Sequence, residues 1–251
     1  MNTFFPLLKL GIRRRSRDFF IIFYTVVFPI VIIALLGYLT STSYGKEFTS
    51  YEYYSIVIIP FCLLMGITSV VYAAADEKRT KTAYRYMIAP ISKAALIWSK
   101  FFSCVIAFTI CSVIVLLLSG LLFHLPVGKN FAALSLLLLC ESITISGLGL
   151  FFGLAIKSFT VIQNFLNLPI VILGFLGGAF FPVGSVNPVL SFIINLSPLT
   201  WINKSIIFCL YMENNAILLG VSAALFVVGI ICTFLTTWHC VRPFGLLGCP
   251  A

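Results

Sequence analysis

Acidic residues are scarce in this sequence. Only 7 of its 251 residues are Asp or Glu, and charged residues of both signs make up 9%, whereas hydrophobic residues make up 61%. The mean hydropathy is +1.13. A soluble domain carries charge on roughly a quarter of its residues. The composition therefore excludes a soluble globular protein and predicts a polytopic membrane protein of the all-α class.

Motifs for nucleotide binding and catalysis are also missing. The Gly-Lys pairs at 45–46 and 128–129 do not stand in the G-x-x-x-x-G-K-[ST] pattern that cradles phosphates. The two histidines, His124 and His239, fall at opposite ends of predicted spans, about 30 Å apart, which argues against a shared metal site or triad. The 8 cysteines show no spacing typical of a disulfide framework or a metal site. We therefore predict no catalytic residue, no metal and no cofactor bound by this chain.

Apolar runs of about 20 residues, the length of a transmembrane helix, occur six times. They cover residues 19–39, 54–75, 96–124, 131–156, 160–182 and 216–238. The sequence thus predicts a single transmembrane domain, residues 1–251, with six spans.

Lys and Arg are divided unequally between the two sides that six alternating spans create. One side collects Lys9, Arg13, Arg14, Arg15, Arg17, Lys78, Arg79, Lys81, Arg85, Lys93, Lys100, Lys157 and Arg242. The other side keeps Lys46, Lys129 and Lys204. By the positive-inside rule, both termini and the loop 76–93 are predicted to be cytoplasmic, with 40–53, 125–130 and 183–215 outside the cell membrane. The net charge of +9 then reflects orientation against anionic lipid rather than nucleic-acid binding.

The N-terminal segment combines an apolar row and a cationic row at helical spacing. The apolar residues are Phe5, Leu8 and Ile12, and the cations are Lys9, Arg13 and Arg17. This pattern suits a helix lying in the cytoplasmic membrane interface. A basic leader without helical structure fits equally well, since Pro6 and Gly11 weaken a continuous helix.

The largest internal cytoplasmic loop, residues 76–93, is dense in charge and aromatic rings. An apolar stripe at helical spacing is formed by Thr80, Tyr84, Met87, Ile88 and Ile91. Pro90 is predicted to end this short helix. The stripe is typical of a helix resting on lipid headgroups or of one docking into a partner. The density of charge and rings favours docking, through Tyr84, Met87 and Ile88, with Glu77 and Arg85 at the polar rim.

Polar residues within the spans form one helix face and include one isolated acid. The face, in the fifth span, holds Thr160, Gln163, Asn164, Asn167, Gly174 and Gly178. Gly174 and Gly178 have the spacing that lets helices approach closely, so the face is either a packing or dimer interface, the commoner case, or the wall of a conduit. Gly149 and Gly153 in the fourth span indicate the same. Glu141 falls near mid-membrane, where it either lines a route or is a protonated acid hydrogen-bonded to a neighbouring helix; the lack of a midplane partner favours the structural role.

Residues 183–215 are apolar in short pieces that Pro188 and Pro198 interrupt. Two short re-entrant helices dipping into the outer leaflet would satisfy the backbone if protein covers them.

These features together resemble the membrane subunit of an ATP-binding-cassette transporter of the type-2 exporter family. The first cytoplasmic loop of that family has a Glu, a Thr and a Pro-x-Ser ending, matched here by Glu77, Thr82, Pro90 and Ser92. A later pattern, GGAFFP followed by SPLTW, is matched by Gly178, Phe181, Pro182, Pro188, Pro198 and Thr200. Lys81 departs from the family, which usually has Gly before the Thr.

The resemblance implies a half-transporter that forms its pathway with a second permease copy or a paralogue. It also implies that the loop 76–93 is a coupling helix that fits a separate ATPase, which binds the ATP and Mg. The cargo would be a drug, an antimicrobial peptide or a lipid-like molecule. The alternatives are an intramembrane enzyme using Glu141 or Ser146 and a membrane immunity or scaffold protein. Ser146 lacks an evident partner, and a scaffold has no need of a coupling-type loop.

Overall fold

The structure, a computed structural model, describes residues 4–44, 48–79, 92–155, 159–179, 188–212 and 215–241. Every regular element in these ranges is helical. The α-helices are α1 Phe4–Arg15, α2 Phe19–Ile22, α3 Phe28–Leu39, α4 Ser50–Met65, α5 Ile67–Arg79, α6 Lys93–Phe123, α7 Phe131–Ala155, α8 Phe159–Leu176, α9 Pro188–Leu196, α10 Pro198–Tyr211 and α11 Asn215–Val241. A π-helical turn, Phe23–Val27, joins α2 to α3. The predicted all-α class is confirmed, and the N-terminal segment is helical.

Four helical stretches are long and apolar enough to cross a membrane. They are Ser50–Ala74, Ala94–Phe123, Gly128–Leu154 and Asn215–His239. These stretches coincide with the predicted second, third, fourth and sixth spans and confirm a multi-pass membrane protein. The first and fifth predicted spans contain the shorter apolar helices Phe23–Leu39 and Phe165–Leu176.

A capping box fixes the start of α4 four residues before the predicted span. The Glu52 amide donates to Thr49 Oγ1 at 3.3 Å, and the Thr49 amide donates to Glu52 Oε2 at 3.1 Å. The two bonds satisfy amides that a helix start leaves without partners. At the next boundary, Gly66 separates α4 from α5, where a Cβ would stand 2.7 Å from the Phe108 ring.

The predicted fifth span runs to residue 182, but α8 ends at Leu176. Gly178 has a φ of 79°, a left-handed conformation that favours glycine. The Ala179 amide donates to the Gly174 carbonyl at 2.9 Å, and the Gly178 amide donates to that of Phe175 at 3.1 Å. This bond pair is a Schellman motif, which stops the helix.

Helix α7 lies at the centre of the bundle, parallel to α5 and α11. A Cβ on Gly147 would overlap the carbonyl oxygen of Gly229 in α11. On another side, a Cβ on Gly149 would stand 2.6 Å from Val70, and one on Gly153 would stand 2.7 Å from Ala74. The small residues therefore bring three helices into close contact within one chain.

The bundle has two ends, which we call the basic end and the far end. The basic end holds the cationic helix α1, which lies along the first half of α6; a Cβ on Gly11 would stand 2.8 Å from Ser103 there. At the far end, Tyr51 of α4 stacks on Phe123 at the end of α6, with ring centroids 5.6 Å apart. Phe234 of α11 contacts Trp98 in the first turns of α6, with ring centroids 5.5 Å apart, so α11 and the parallel helices α5 and α7 finish at the basic end.

Candidate functional site

The predicted coupling residues mark the link between α5 and α6 at the basic end. Thr82, Tyr84, Arg85, Met87, Ile88 and Pro90 lie outside the described residues. Glu77 belongs to the last turn of α5. Ser92 caps α6, because its Oγ accepts a hydrogen bond from the Ala95 amide at 3.3 Å. The predicted coupling loop is thus bounded by the last residue of α5, Arg79, and the first residue of α6, Lys93.

The polar face of α8 points in part toward α5. Thr68 Oγ1 donates to Asn167 Oδ1 at 3.5 Å, a long bond between partly buried groups. Gln163 and Asn164 belong to α8, but their side chains are not among those that the structure describes. Elsewhere on the surface of α8, Phe165 is 64% exposed and Leu168 is 67% exposed.

The two glycines predicted to share a helix face have different roles. A Cβ on Gly174 would overlap the ring of Phe61 in α4, so this glycine serves packing within the chain. Gly178 lies beyond the end of α8 and is not on that face. The prediction of one Gly174–Gly178 face was wrong, because helical spacing does not show where a left-handed residue stops the helix. The Gly177-Gly178 pair was the signal for that stop.

Three consecutive carbonyls at the end of α8 accept hydrogen bonds from other helices. Thr200 Oγ1 of α10 donates to the Leu176 carbonyl at 3.2 Å. Asn203 Nδ2 of α10 donates to the Gly177 carbonyl at 2.8 Å, and the Tyr53 hydroxyl of α4 donates to the Gly178 carbonyl at 3.1 Å. These bonds satisfy acceptors that a helix end leaves free. Thr200 belongs to the predicted re-entrant motif.

Sequence reasoning missed two of these donors. Asn203 follows Thr200 by three residues, which places both on one face of α10, and this spacing was the available signal. Tyr53 lies 125 residues from Gly178 in sequence, so no local pattern indicates the contact. The other re-entrant motif residues, Phe181 and Pro182, lie outside the described residues, while Pro188 and Pro198 begin α9 and α10.

An aromatic cluster beside these bonds holds the far end together. Phe48 lies 5.3 Å from the Tyr211 ring and 6.4 Å from the Tyr53 ring, centroid to centroid. The Tyr211 hydroxyl donates to Glu52 Oε2 at 3.2 Å. Burial, with a smaller contribution from the Glu52 carboxylate, raises the pKa of Tyr211. Burial likewise raises the pKa of Tyr44 to about 12. Burial therefore moves the deprotonation of both phenols still further above physiological pH.

Glu141 is deeply buried in α7, at 2% exposure. Neither carboxylate oxygen has a hydrogen-bond partner among the described residues, so the predicted bond to a neighbouring helix is not found there. The Ser146 hydroxyl is likewise without a partner in that part of the chain. Within it, neither residue shows the nucleophile–base contact that an intramembrane enzyme requires.

Comparison with known proteins identifies the family. The sequence model of the ABC-2 type transporter family matches residues 3–211, a range that begins before α1 and ends with α10. No curated protein shows a significant match. The family consists of membrane permease subunits of ATP-binding-cassette transporters, which favours transport over the enzyme and scaffold alternatives. The chain therefore belongs to the ABC-2 type transporter family.

Proposed function

We propose that this permease forms, as a dimer, the export route of an ATP-driven transporter in the cell membrane. The observation that carries the proposal is the family match over residues 3–211. A separate ATPase binds the ATP and Mg and hydrolyses the nucleotide. The cargo is a drug, an antimicrobial peptide or a lipid-like molecule.

Six membrane spans are part of this proposal. Helical turns continue from Phe19 to Leu39, a length of about 30 Å at 1.5 Å per residue, which matches the hydrocarbon core. Helix α8 has 18 residues and reaches about 27 Å. Together with the four longer stretches, these two helices would give six membrane crossings. In our proposal the basic end, which holds α1 and the start of α6, faces the cytoplasm.

Coupling to the ATPase would pass through α5. This helix runs from Ile67 to Arg79 without a break and leads directly into the loop. Its buried residues Val70 and Ala74 touch the glycines of α7, and α7 is in turn packed against α11. A displacement of the loop by the closing ATPase is therefore passed to three packed helices rather than lost in a flexible link. Such rigid-body movement is a common basis of alternating access.

The short helices α9 and α10 suit a re-entrant pair at the outer face. Phe192 and Leu196 of α9 are 72% and 75% exposed, as expected for side chains that meet lipid or a second permease. Thr200 and Asn203 on α10 satisfy the end of α8, so the polar groups at this depth have partners within the chain.

The pathway is assigned to the polar face of α8 where Asn167 meets Thr68. The exposed apolar face of α8, with Phe165 and Leu168, is available to lipid or to the second permease. In this proposal the polar face of α8 lies inside the bundle and its apolar face lies on the surface.

The decisive test concerns the loop and its ATPase. Tyr84→Asp or Met87→Asp should abolish co-purification of the ATPase while the permease still inserts and pairs. An anchor side chain buried in a partner groove is worth roughly 2 kcal/mol or more, and burial of a carboxylate costs further. The measurement is a pull-down of the ATPase from cells that express both subunits.

Lys129→Asp, in the 3-10 turn at the far end, is the matched control and should retain the ATPase. A loop that only rests on lipid would keep ATPase binding in both Asp variants. Unchanged pull-down together with unchanged transport would refute the coupling proposal.

A further inference from the structure

A cleft of about 430 Å³ opens at the basic end between α1, the start of α2, α5 and the first turns of α6. Four cations and one carboxylate line it: Arg14, Arg15, Arg17, Lys100 and Asp18. Arg15 lies 3.5 Å from Asp18, so this pair is largely compensated. The side chains of Arg14 and Arg17, both exposed, make no ion pair with any described residue.

The remaining walls of the cleft are mostly apolar. Leu7 and Leu10 of α1 contribute one side, and Leu96 of α6 contributes another. At the rim, Phe19 is 71% exposed. A free inorganic anion makes no use of such a surface, whereas an acyl chain does.

The strongest donors in the cleft are cationic. Ser99 and Ser103 line it, but each hydroxyl already donates to a carbonyl of its own helix, at 2.9 and 2.8 Å. An anion would therefore be held mainly by the guanidinium groups of Arg14 and Arg17, whose planar shape matches the oxygens of a phosphate group. The volume lies within the range of about 300 to 1,000 Å³ typical of small-molecule sites.

We infer that this cleft binds the phosphate headgroup of an anionic phospholipid, with the acyl chains running along the apolar rim. Occupancy of this site beside α1 would then depend on the lipid composition of the leaflet at the basic end. The inference goes beyond the proposed function: it requires neither an ATPase nor a cargo, and its failure leaves the export proposal untouched.

The test measures lipid preference by fluorescence quenching. Trp98 stands next to Ser99 in α6, and its ring contacts Phe102, which in turn contacts Phe4 of α1. The full-length chain carrying Trp201→Phe and Trp238→Phe retains Trp98 as its single tryptophan. It is reconstituted into vesicles of phosphatidylcholine with increasing brominated phosphatidylglycerol, and quenching yields the relative binding constant of the two lipids. We expect a saturable preference for phosphatidylglycerol.

The double variant Arg14→Gln/Arg17→Gln should weaken that preference roughly 100-fold, about a factor of 10 for each charge-assisted hydrogen bond to the phosphate that is lost. The matched control, Lys9→Gln/Arg13→Gln, removes the same charge from exposed positions of α1 outside the cleft, and should change the preference less than threefold. Arg14→Lys/Arg17→Lys keeps the charge without the planar guanidinium and should lose less of the preference than the Gln variant. Equal unfolding temperatures in pure phosphatidylcholine show that all variants are folded.

Three outcomes would overturn the inference. Equal losses in the two Gln variants would mean diffuse attraction to the leaflet rather than a site. Displacement of the lipid by millimolar inorganic phosphate would mean that the ligand is a free phosphate. Absence of any preference in the chain with native cations would mean that the cleft binds no anionic lipid.

Discussion

The close contact of α7 with α11 predicts that Gly147→Ala destabilises the protein, although alanine is the better helix former. A Cβ at this position overlaps the Gly229 carbonyl oxygen and stands 3.0 Å from Thr233 Oγ1. Neither atom can easily move away, since the Thr233 hydroxyl itself donates to the Gly229 carbonyl at 2.8 Å. The two helices must therefore separate by about 1 Å, and such a gap forfeits a quarter to a half of the dispersion energy of the facing atoms.

Overpacking of this kind costs about 1 to 3 kcal/mol of unfolding free energy. For a chain of this size the unfolding temperature should fall by roughly 2 to 12 °C, followed by intrinsic fluorescence of the detergent-solubilised protein. The control is Gly220→Ala, also in α11, where a Cβ would meet no atom within 4 Å. It should leave the temperature unchanged or raise it. An unchanged temperature for Gly147→Ala, or an equal fall for the control, would refute this account of the helix contact.

Three further predictions concern topology, pathway and the end of α8. In a background without native cysteines, a cysteine at Ser185 should be labelled by an impermeant reagent in intact cells, and one at Lys81 only after lysis; the reverse would overturn the orientation. Asn167→Leu should alter transport or cargo preference more than Leu168→Ala, measured by cellular export, whereas intact export with loss of the dimer would favour a packing role. Asn203→Leu should lower stability by about 1 to 3 kcal/mol, because it strips the donor from a carbonyl at the end of α8; a denaturation curve that matches the native chain would contradict this.

The sequence predicts well that the long helices are present, but it predicts their first and last residues less well. Apolar runs locate the four long stretches because hydrophobicity is a local property of the chain. The start of α4 depends instead on the capping box of Thr49 and Glu52, which lies before the apolar run. The end of α8 depends on the backbone of Gly178, which a search for apolar runs does not consider.

Helix partners were the part that the sequence could not predict. Small residues in the fourth span indicate a close helix contact, but they do not show which helix is the partner. That Gly149 meets Val70 and Gly174 meets Phe61 depends on how the whole bundle is assembled. The same holds for the basic cleft, since α1 and α2 form one side of it and α5 and α6, which are distant in sequence, form the other.

The hydrogen bonds at the end of α8 have a mechanical consequence for the proposed export. Because α4 and α10 both hold this helix end, the three helices form one body at the far end and cannot swing separately. Freeing α8 alone would break three bonds, at about 1 kcal/mol each, a penalty of roughly a hundredfold in population. In the proposed exporter, a gate would therefore open more easily by movement of these three helices together than by movement of α8 alone.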